Sequence, residues 1–223
     1  MKKYLALVLA VLMALACMAL VACGECKHFY HQGYCLECGQ PDPNYNPNQG
    51  GGASSEDQTI SNAALKCVPA AGGTVYVTSI GQNGSGTVTG LLDNIGVEYV
   101  NNDTLKASDV KSGDVVLVVV GSSGKGLGGA TGHSVETEIA RFEAIAAVEG
   151  VEIISLVPAG GTALRGNTSD PLHEAVCPHA KVTLVISSAN SDNFFTTRCA
   201  EGTLFTYSKA SKMSASLQFL LGA

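Results

Sequence analysis

The sequence predicts an α/β protein: a three-layer, flavodoxin-like or Rossmann-like parallel sheet of five to six strands, with a small N-terminal Cys/His knuckle ahead of it. Three observations lead there. Short runs of β-branched apolar residues alternate with helical patterns through residues 59–223, which is how βαβ units are written in sequence. The run Val115–Val120 is apolar at every position and stops at Gly121, as a strand covered on both faces does. The runs break at glycine or proline, at Gly81, Gly121, Gly150 and Pro158. Crossovers of this spacing are right-handed, and the expected strand order is 2-1-3-4-5, with strand 6 at the edge.

The elements follow in order. Residues 74–80 (TVYVTSI) form strand 1, entered from Gly72 and Gly73. Residues 85–95 form a helix whose apolar face is Val88, Leu91, Leu92 and Ile95, closed by Gly96. Residues 97–100 form strand 2, and residues 105–110 a helical turn before strand 3. Residues 134–149 give the clearest helix: Ser134 caps it, and Val135, Ile139, Phe142, Ile145 and Ala146 make its stripe. Residues 151–157 form strand 4. A short helix over 170–177 ends at Pro178, and strand 5 spans 182–186. A helix is expected over 192–200, strand 6 over 204–207, and a closing amphipathic helix over 211–221.

Ahead of this domain the chain changes character. Residues 1–22 read as a signal peptide, with Lys2 and Lys3 before a long apolar stretch. Leu20-Val21-Ala22-Cys23 resembles the bacterial lipobox, which implies lipidation at Cys23 and an extracytoplasmic protein anchored to the cell membrane. A plain transmembrane anchor is the alternative, since the stretch has near-spanning length. Residues 23–39 then hold Cys26, His28, His31, Cys35 and Cys38. The spacing Cys35-x-x-Cys38-Gly39 suits a tetrahedral ion, with Cys26 and His28 as further ligands to a structural zinc. The competing reading is a disulfide among the same cysteines. The stretch resembles minimal zinc-ribbon modules of exported Firmicutes proteins. Residues 40–58 hold three prolines and three consecutive glycines and read as a flexible linker.

The formal charge is −6, and it becomes more negative if residues 1–22 are removed. Nucleic acid is therefore not expected as a partner. The partners expected are the membrane through the lipid anchor, a membrane protein, and a small anionic ligand.

In open parallel sheets ligands bind beyond the C-terminal strand ends, where the strand order reverses, here between strands 1 and 3. The loops at that edge carry the candidate ligand-binding residues Ser79, Gln82, Ser122, Ser123, Lys125, Gly126, Arg165, Ser169, Asp170, Asn190 and Asp192. Glycines around Lys125 let backbone N–H groups converge on an anion, although a tight turn with a solvated lysine fits the same residues. Arg165 suits a carboxylate or phosphate; alternatively it pairs with Asp170 or Asp192 and fixes the loops. Asp170 also suits a helix N-cap.

No nucleotide cofactor is supported. G-x-G-x-x-G is matched formally at 124–129, but the following strand ends at Pro158 instead of an acid. The P-loop pattern fails because Gly126 follows Lys125 and position 119 is Val. Ser79, Ser122 and His133 are the candidates for chemistry, but neither serine lies in G-x-S-x-G. Cys177 and Cys199 could form a disulfide or remain buried thiols.

The segments TSIGQ (78–82), VVVGSSGKGLG (118–128), the acid and Arg in E-x-E-x-x-R (136–141) and R-G-x-x-S-D (165–170) together resemble an uncharacterised bacterial family of exported α/β domains, over about residues 60–223. The resemblance implies the fold and no activity. Three functions remain in view: a non-catalytic lipoprotein binding a small anionic or polar ligand at the strand edge, an extracytoplasmic hydrolase or transferase acting on a carboxylate or phosphate compound, and a structural or protein-interaction module.

Overall fold

The computed structural model describes residues 30–31, 34–35, 57–122, 127 and 133–223. The leader, most of the linker, Cys23, Cys26, His28, Cys38, Ser123, Lys125 and Gly126 lie outside the described residues. The chain divides into two units, Met1–Gly50 and Gly51–Ala223. In the first, Tyr30–His31 pairs antiparallel with Tyr34–Cys35, Tyr30 opposite Cys35. Among the described residues no helix is long and apolar enough to cross a membrane.

The second unit is built on one six-stranded sheet. Its strands are β1 (Val75–Ile80), β2 (Val100–Asn101), β3 (Val115–Val120), β4 (Glu152–Val157), β5 (Val182–Ile186) and β6 (Leu204–Tyr207). All pairs are parallel, in the order β2-β1-β3-β4-β5-β6. This is the expected three-layer α/β architecture and strand order. The helices are α1 (Gly86–Ile95), α2 (Val135–Ala146), α3 (Asp170–Val176) and α4 (Ser214–Leu221).

The sandwich follows from the period of two along β3. Val115, Leu117 and Val119 join a core with Val88, Leu91 and Leu92 of α1 and Leu217, Leu220 and Leu221 of α4. Val116, Val118 and Val120 join the opposite core, with Phe142 and Ile145 of α2 and Leu172 and Val176 of α3. An apolar residue at every β3 position is thus required by burial on both faces. The helix on either side of the sheet changes between β1 and β3, so that pair is the point of reversal.

Three sequence expectations need correction. The segment 97–100 does not form strand 2. The N–H groups of Gly96 and Val97 close the C-terminus of α1, bonding Asp93 O at 3.2 Å and Leu92 O at 3.1 Å, with Gly96 left-handed at φ +71°. Val97 is spent on that cap, and pairing with β1 begins only at Val100.

No α-helix spans 192–200 either. A 3-10 turn at Ser187–Asn190 leads into successive turns. Asn193 is left-handed at φ +58°, and Asn190 Oδ1 takes the Phe195 N–H at 2.8 Å. The side chain thereby does what a helical carbonyl would otherwise do.

The folded domain also reaches into the expected linker. Gln58 N–H bonds Thr206 O at 3.2 Å, and the Gln58 side-chain oxygen accepts Thr206 N–H at 2.6 Å. Asp57 accepts the Ser208 N–H and hydroxyl at 2.8 and 2.7 Å. Residues 57–58 cover the free edge of β6, which would otherwise be open to pairing with another chain.

Candidate functional site

At the reversal point β1 and β3 run in register to their ends, Ile80 beside Val120, and each strand stops at a glycine. Gly81 has φ +106°, and a Cβ there would lie 2.5 Å from Gly121 O. Gly121 has φ +134°, and its Cβ would meet that of Leu164 at 2.8 Å. Only glycine fits either position.

One carboxylate organises what lies above. Glu138, on the first turn of α2, is fully buried. Its Oε2 accepts Gly81 N–H at 2.9 Å, the Gln82 amide at 3.1 Å and an Arg141 N–H at 2.8 Å. Its Oε1 accepts Arg141 Nε–H at 3.2 Å and lies 3.0 Å from Nδ1 of His133. Burial opposes ionisation of Glu138, but hydrogen bonds from Arg141, Gly81 and Gln82 outweigh it and hold the carboxyl below its ordinary range. Arg141 ties the array to the sheet through Ser79 O at 2.6 Å and Leu105 O at 2.9 Å.

The spacing makes this possible. Glu138 and Arg141 are three residues apart and share a helix face. Ser134 starts the helix with a capping box, accepting Thr137 N–H at 3.2 Å and donating its own N–H to Thr137 Oγ1 at 2.8 Å. His133, the residue before the cap, keeps 31% of its side chain exposed. A carboxylate only accepts, so Nδ1 carries the proton that bonds Glu138, and in the neutral ring Nε2 holds the free lone pair. Gln82 stands beside it at φ +58°, with its amide 3.5 Å from Asp103 O.

A second cluster lies beyond β4 and β5. Arg165, 9% exposed, uses all five guanidinium N–H groups. Nε bonds Asp170 Oδ1 at 2.7 Å; Nη1 bonds Ala189 O at 2.5 Å and Asp192 Oδ1 at 3.1 Å; Nη2 bonds Asp170 Oδ2 at 3.3 Å and Asp192 Oδ2 at 2.9 Å. Its plane covers Phe194 at 3.9 Å. The paired carboxylates hold the Arg165 proton more firmly than usual, and Asp170 and Asp192 are in turn held low. One cation with two carboxylates leaves a net negative cluster on a cleft of about 280 Å³ lined by Gly161, Thr162 and Ser188 as well. These are the bonds of the loop-fixing alternative for Arg165, and Asp170 pairs with it and with Gly166 N–H at 2.9 Å while making no side-chain cap of α3.

Ser79, Ser122, Ser169 and Asn190 have structural partners too. Ser79 is buried and its Oγ accepts Asn83 and Gly84 N–H at 3.1 and 3.2 Å. Ser122 and Ser169 clasp each other, Ser122 N–H to Ser169 Oγ at 2.9 Å and Ser169 hydroxyl to Ser122 O at 3.1 Å. Asn190 is buried and shapes its own loop through Phe195 N–H and Thr196. The structure thus splits the predicted set: Ser79 and Gln82 stand at the reversal point, Arg165, Asp170, Asp192 and Asn190 beyond it, and the Ser122–Ser169 clasp joins the β3 and β4 loops. Glu138 and Arg141 were absent from the predicted ligand set; their signal was the acid–arginine spacing right after a helix cap. A cleft of about 430 Å³ along β6 includes, of the described predicted residues, Asn190 alone. Among the described residues no group of His, Cys, Asp and Glu is arranged to hold a metal.

Comparison with known families decides the lineage. Residues 72–218 match the model of DUF6305, a domain of unknown function. The chain belongs to the DUF6305 family. The match starts just ahead of β1 and ends within α4, so the DUF6305 domain takes in the whole sheet and both clusters described above. No curated protein and no solved structure matches the chain.

Proposed function

We propose that the DUF6305 domain is a non-catalytic binder of a small polar or anionic ligand, held over the C-terminal ends of β1 and β3. The observation that carries this reading is the Glu138 array. A buried carboxylate bonds Gly81, Gln82, Arg141 and His133 at the fold's reversal point, and the His133 side chain remains partly exposed. Asp103 Oδ1 is buried and has no hydrogen-bond partner among the described residues, and its backbone carbonyl faces the Gln82 amide. A ligand carrying a hydroxyl or amide donor as well as an acceptor suits that pair better than a bare anion.

Native mass spectrometry of the full chain, followed by thermal-shift titration with hydroxy acids, polyols and inorganic phosphate, tests the reading. A co-purified small molecule, or a stabilising compound whose effect is lost in His133→Ala and Gln82→Ala, is the expected result. Stabilisation unchanged in both variants would overturn it.

A second reading has one observation in its favour. The Glu138–His133 contact is the arrangement by which a carboxylate orients a general base, which suits a hydrolase or transferase acting on a carboxylate or phosphate compound. Against it, Ser79 is buried with its oxygen engaged by two amides, which counts against that serine as the nucleophile.

The N-terminal segment extends the proposal to location. Leu20-Val21-Ala22-Cys23 supports a lipid anchor at Cys23 outside the cytoplasmic membrane, and Cys26, His28, Cys35 and Cys38 support a structural zinc. Membrane fractionation of Cys23→Ser and metal analysis of the purified chain test these separately. A variant that stays in the membrane fraction, or a chain without stoichiometric zinc, removes the respective claim.

A further inference from the structure

The three described cysteines outside the N-terminal unit differ sharply in setting. Cys67 is fully buried, and burial pushes its thiol up to about 12; it is chemically quiet. Cys177 and Cys199 are free thiols in one apolar cluster with Val157, Val185, Phe194 and Phe195. Cys177 is 2% exposed, whereas Cys199 is partly open and lines the cleft of about 430 Å³ beside Asn190, Thr196, Glu201 and Thr206.

Two parallel ladders bring them together. On one, Cys177 N–H bonds His173 O at 2.9 Å; on the other, Cys199 N–H bonds Phe195 O at 2.9 Å. The His173 and Phe195 rings meet edge-on with centroids 4.9 Å apart. Glu174, next to His173, bonds Arg198, next to Cys199, at 2.7 and 3.0 Å, and Arg198 lies 3.7 Å over Phe194. The end of α3 is therefore zipped to the turn that carries Cys199. At the end of the zip the two thiols share that apolar cluster, Cys177 enclosed within it and Cys199 packed against it at the cleft. The Thr183 hydroxyl on β5 is buried and has no hydrogen-bond partner among the described residues. The neighbouring Cys177 draws the Cys199 thiol down, while Cys199 and burial push that of Cys177 up, so the thiolate is favoured at Cys199.

We propose that Cys177 and Cys199 are a thiol–disulfide exchange site, with Cys199 as the attacking sulfur and Cys177 as the resolving one. The co-reactant is a small-molecule or protein disulfide reaching the β6 cleft. The Cys199 thiolate attacks one sulfur of that disulfide; its S–S bond breaks, and the first thiol leaves with a proton. Cys177 then loses its proton and attacks the Cys199 sulfur of the mixed disulfide, and the second thiol leaves. Two cysteine thiols are oxidised to one disulfide, and one external disulfide is reduced to two thiols. The bond formed would fasten the non-helical β5–β6 crossover to α3. This does not depend on the ligand reading, whose residues lie at β1 and β3.

The test uses the full chain, equilibrated natively with oxidised and reduced glutathione at several ratios, quenched in acid, alkylated and digested with trypsin. Cleavage after Arg165, Lys181, Arg198 and Lys209 puts Cys177 in the peptide 166–181 and Cys199 in 199–209, each without another cysteine. The expected result is a dithiothreitol-sensitive 166–181/199–209 linked species that grows with the oxidised fraction as both alkylated peptides are lost. In Cys177→Ser, Cys199 should accumulate as the glutathione mixed disulfide; in Cys199→Ser, native Cys177 should stay unmodified. If both cysteines remain alkylated throughout, or if Cys177 is the one modified in the single variants, the proposal is overturned.

Discussion

Arg165 was legible as a residue, but the sequence left two roles open for it, anion binding and pairing with Asp170 or Asp192. A lone arginine in a loop at a sheet edge carries the same sequence signal whether it awaits an anion or already holds one. Its two carboxylates stand 5 and 27 residues away and converge only once α3 and the β5–β6 crossover are in place. With all five donors engaged and the side chain nearly buried, Arg165→Ala leaves two carboxylates facing each other and strips the cover from Phe194. The expected loss is about 3 kcal/mol, at the low end for breaking a buried pair because both aspartates keep some solvent contact. Urea unfolding followed by far-UV circular dichroism checks it. Arg165→Lys should recover only part of the loss, since a single ammonium cannot reproduce the fork to both aspartates. Full recovery would mean that charge alone matters there.

At the scale of elements, the strands with continuous β-branched runs were read closely from sequence, because burial on both faces leaves little choice of residue. The misread pieces are those where a side chain or a cap takes over a backbone bond. Val97 looks like a strand residue, yet its N–H closes α1. Residues 192–200 have helical composition, but the adjacent Phe194 and Phe195 are both buried, and Asn193 adopts a left-handed conformation. Helix α2 is the converse case, with its cap and stripe legible in full. Ser134→Ala removes the acceptor for Thr137 N–H and should cost about 1 kcal/mol. Because the cap sits between His133 and Glu138, the same variant should also raise amide hydrogen exchange at residues 135–138. A stability loss without local exchange would place the effect elsewhere. Gly121→Ala tests the strand end. With φ +134° and Leu164 2.8 Å from the added carbon, it should cost about 2 kcal/mol or more.

For the whole molecule, the strand order was legible because a parallel sheet with short crossovers admits few topologies. The Glu138 array was only partly so, since its members come from β1, α2 and the residue before the α2 cap. Electrostatics acts at this same scale, through groups whose ionisation changes on unfolding. His173 is fully buried between Phe194 and Phe195, and its Nε2 lies 2.7 Å from Leu164 O. A carbonyl only accepts, so Nε2 carries the proton and Nδ1 is left without a partner among the described residues. Burial pushes the imidazole down to about 4, against partial support for the charged form from the Leu164 carbonyl and Asp170. The unfolded chain therefore binds a proton that the folded one refuses between the ordinary histidine value and about 4. Stability contributed by the neutral ring is fully present above the unfolded pKa and declines as pH falls towards the folded one, by up to about 1.4 kcal/mol per pH unit and about 3 kcal/mol in all. Asp114, Glu138, Asp170 and Asp192 are depressed in the fold, so their contributions are lost at still lower pH, with the same sign. Unfolding free energy measured in urea from pH 7 to pH 4 should fall continuously. In His173→Gln, which keeps a donor and cannot titrate, the slope between pH 6.5 and pH 5 should flatten relative to the unsubstituted chain. Equal slopes would show that His173 takes up its proton as readily folded as unfolded, and that the buried ring is not the source of acid sensitivity.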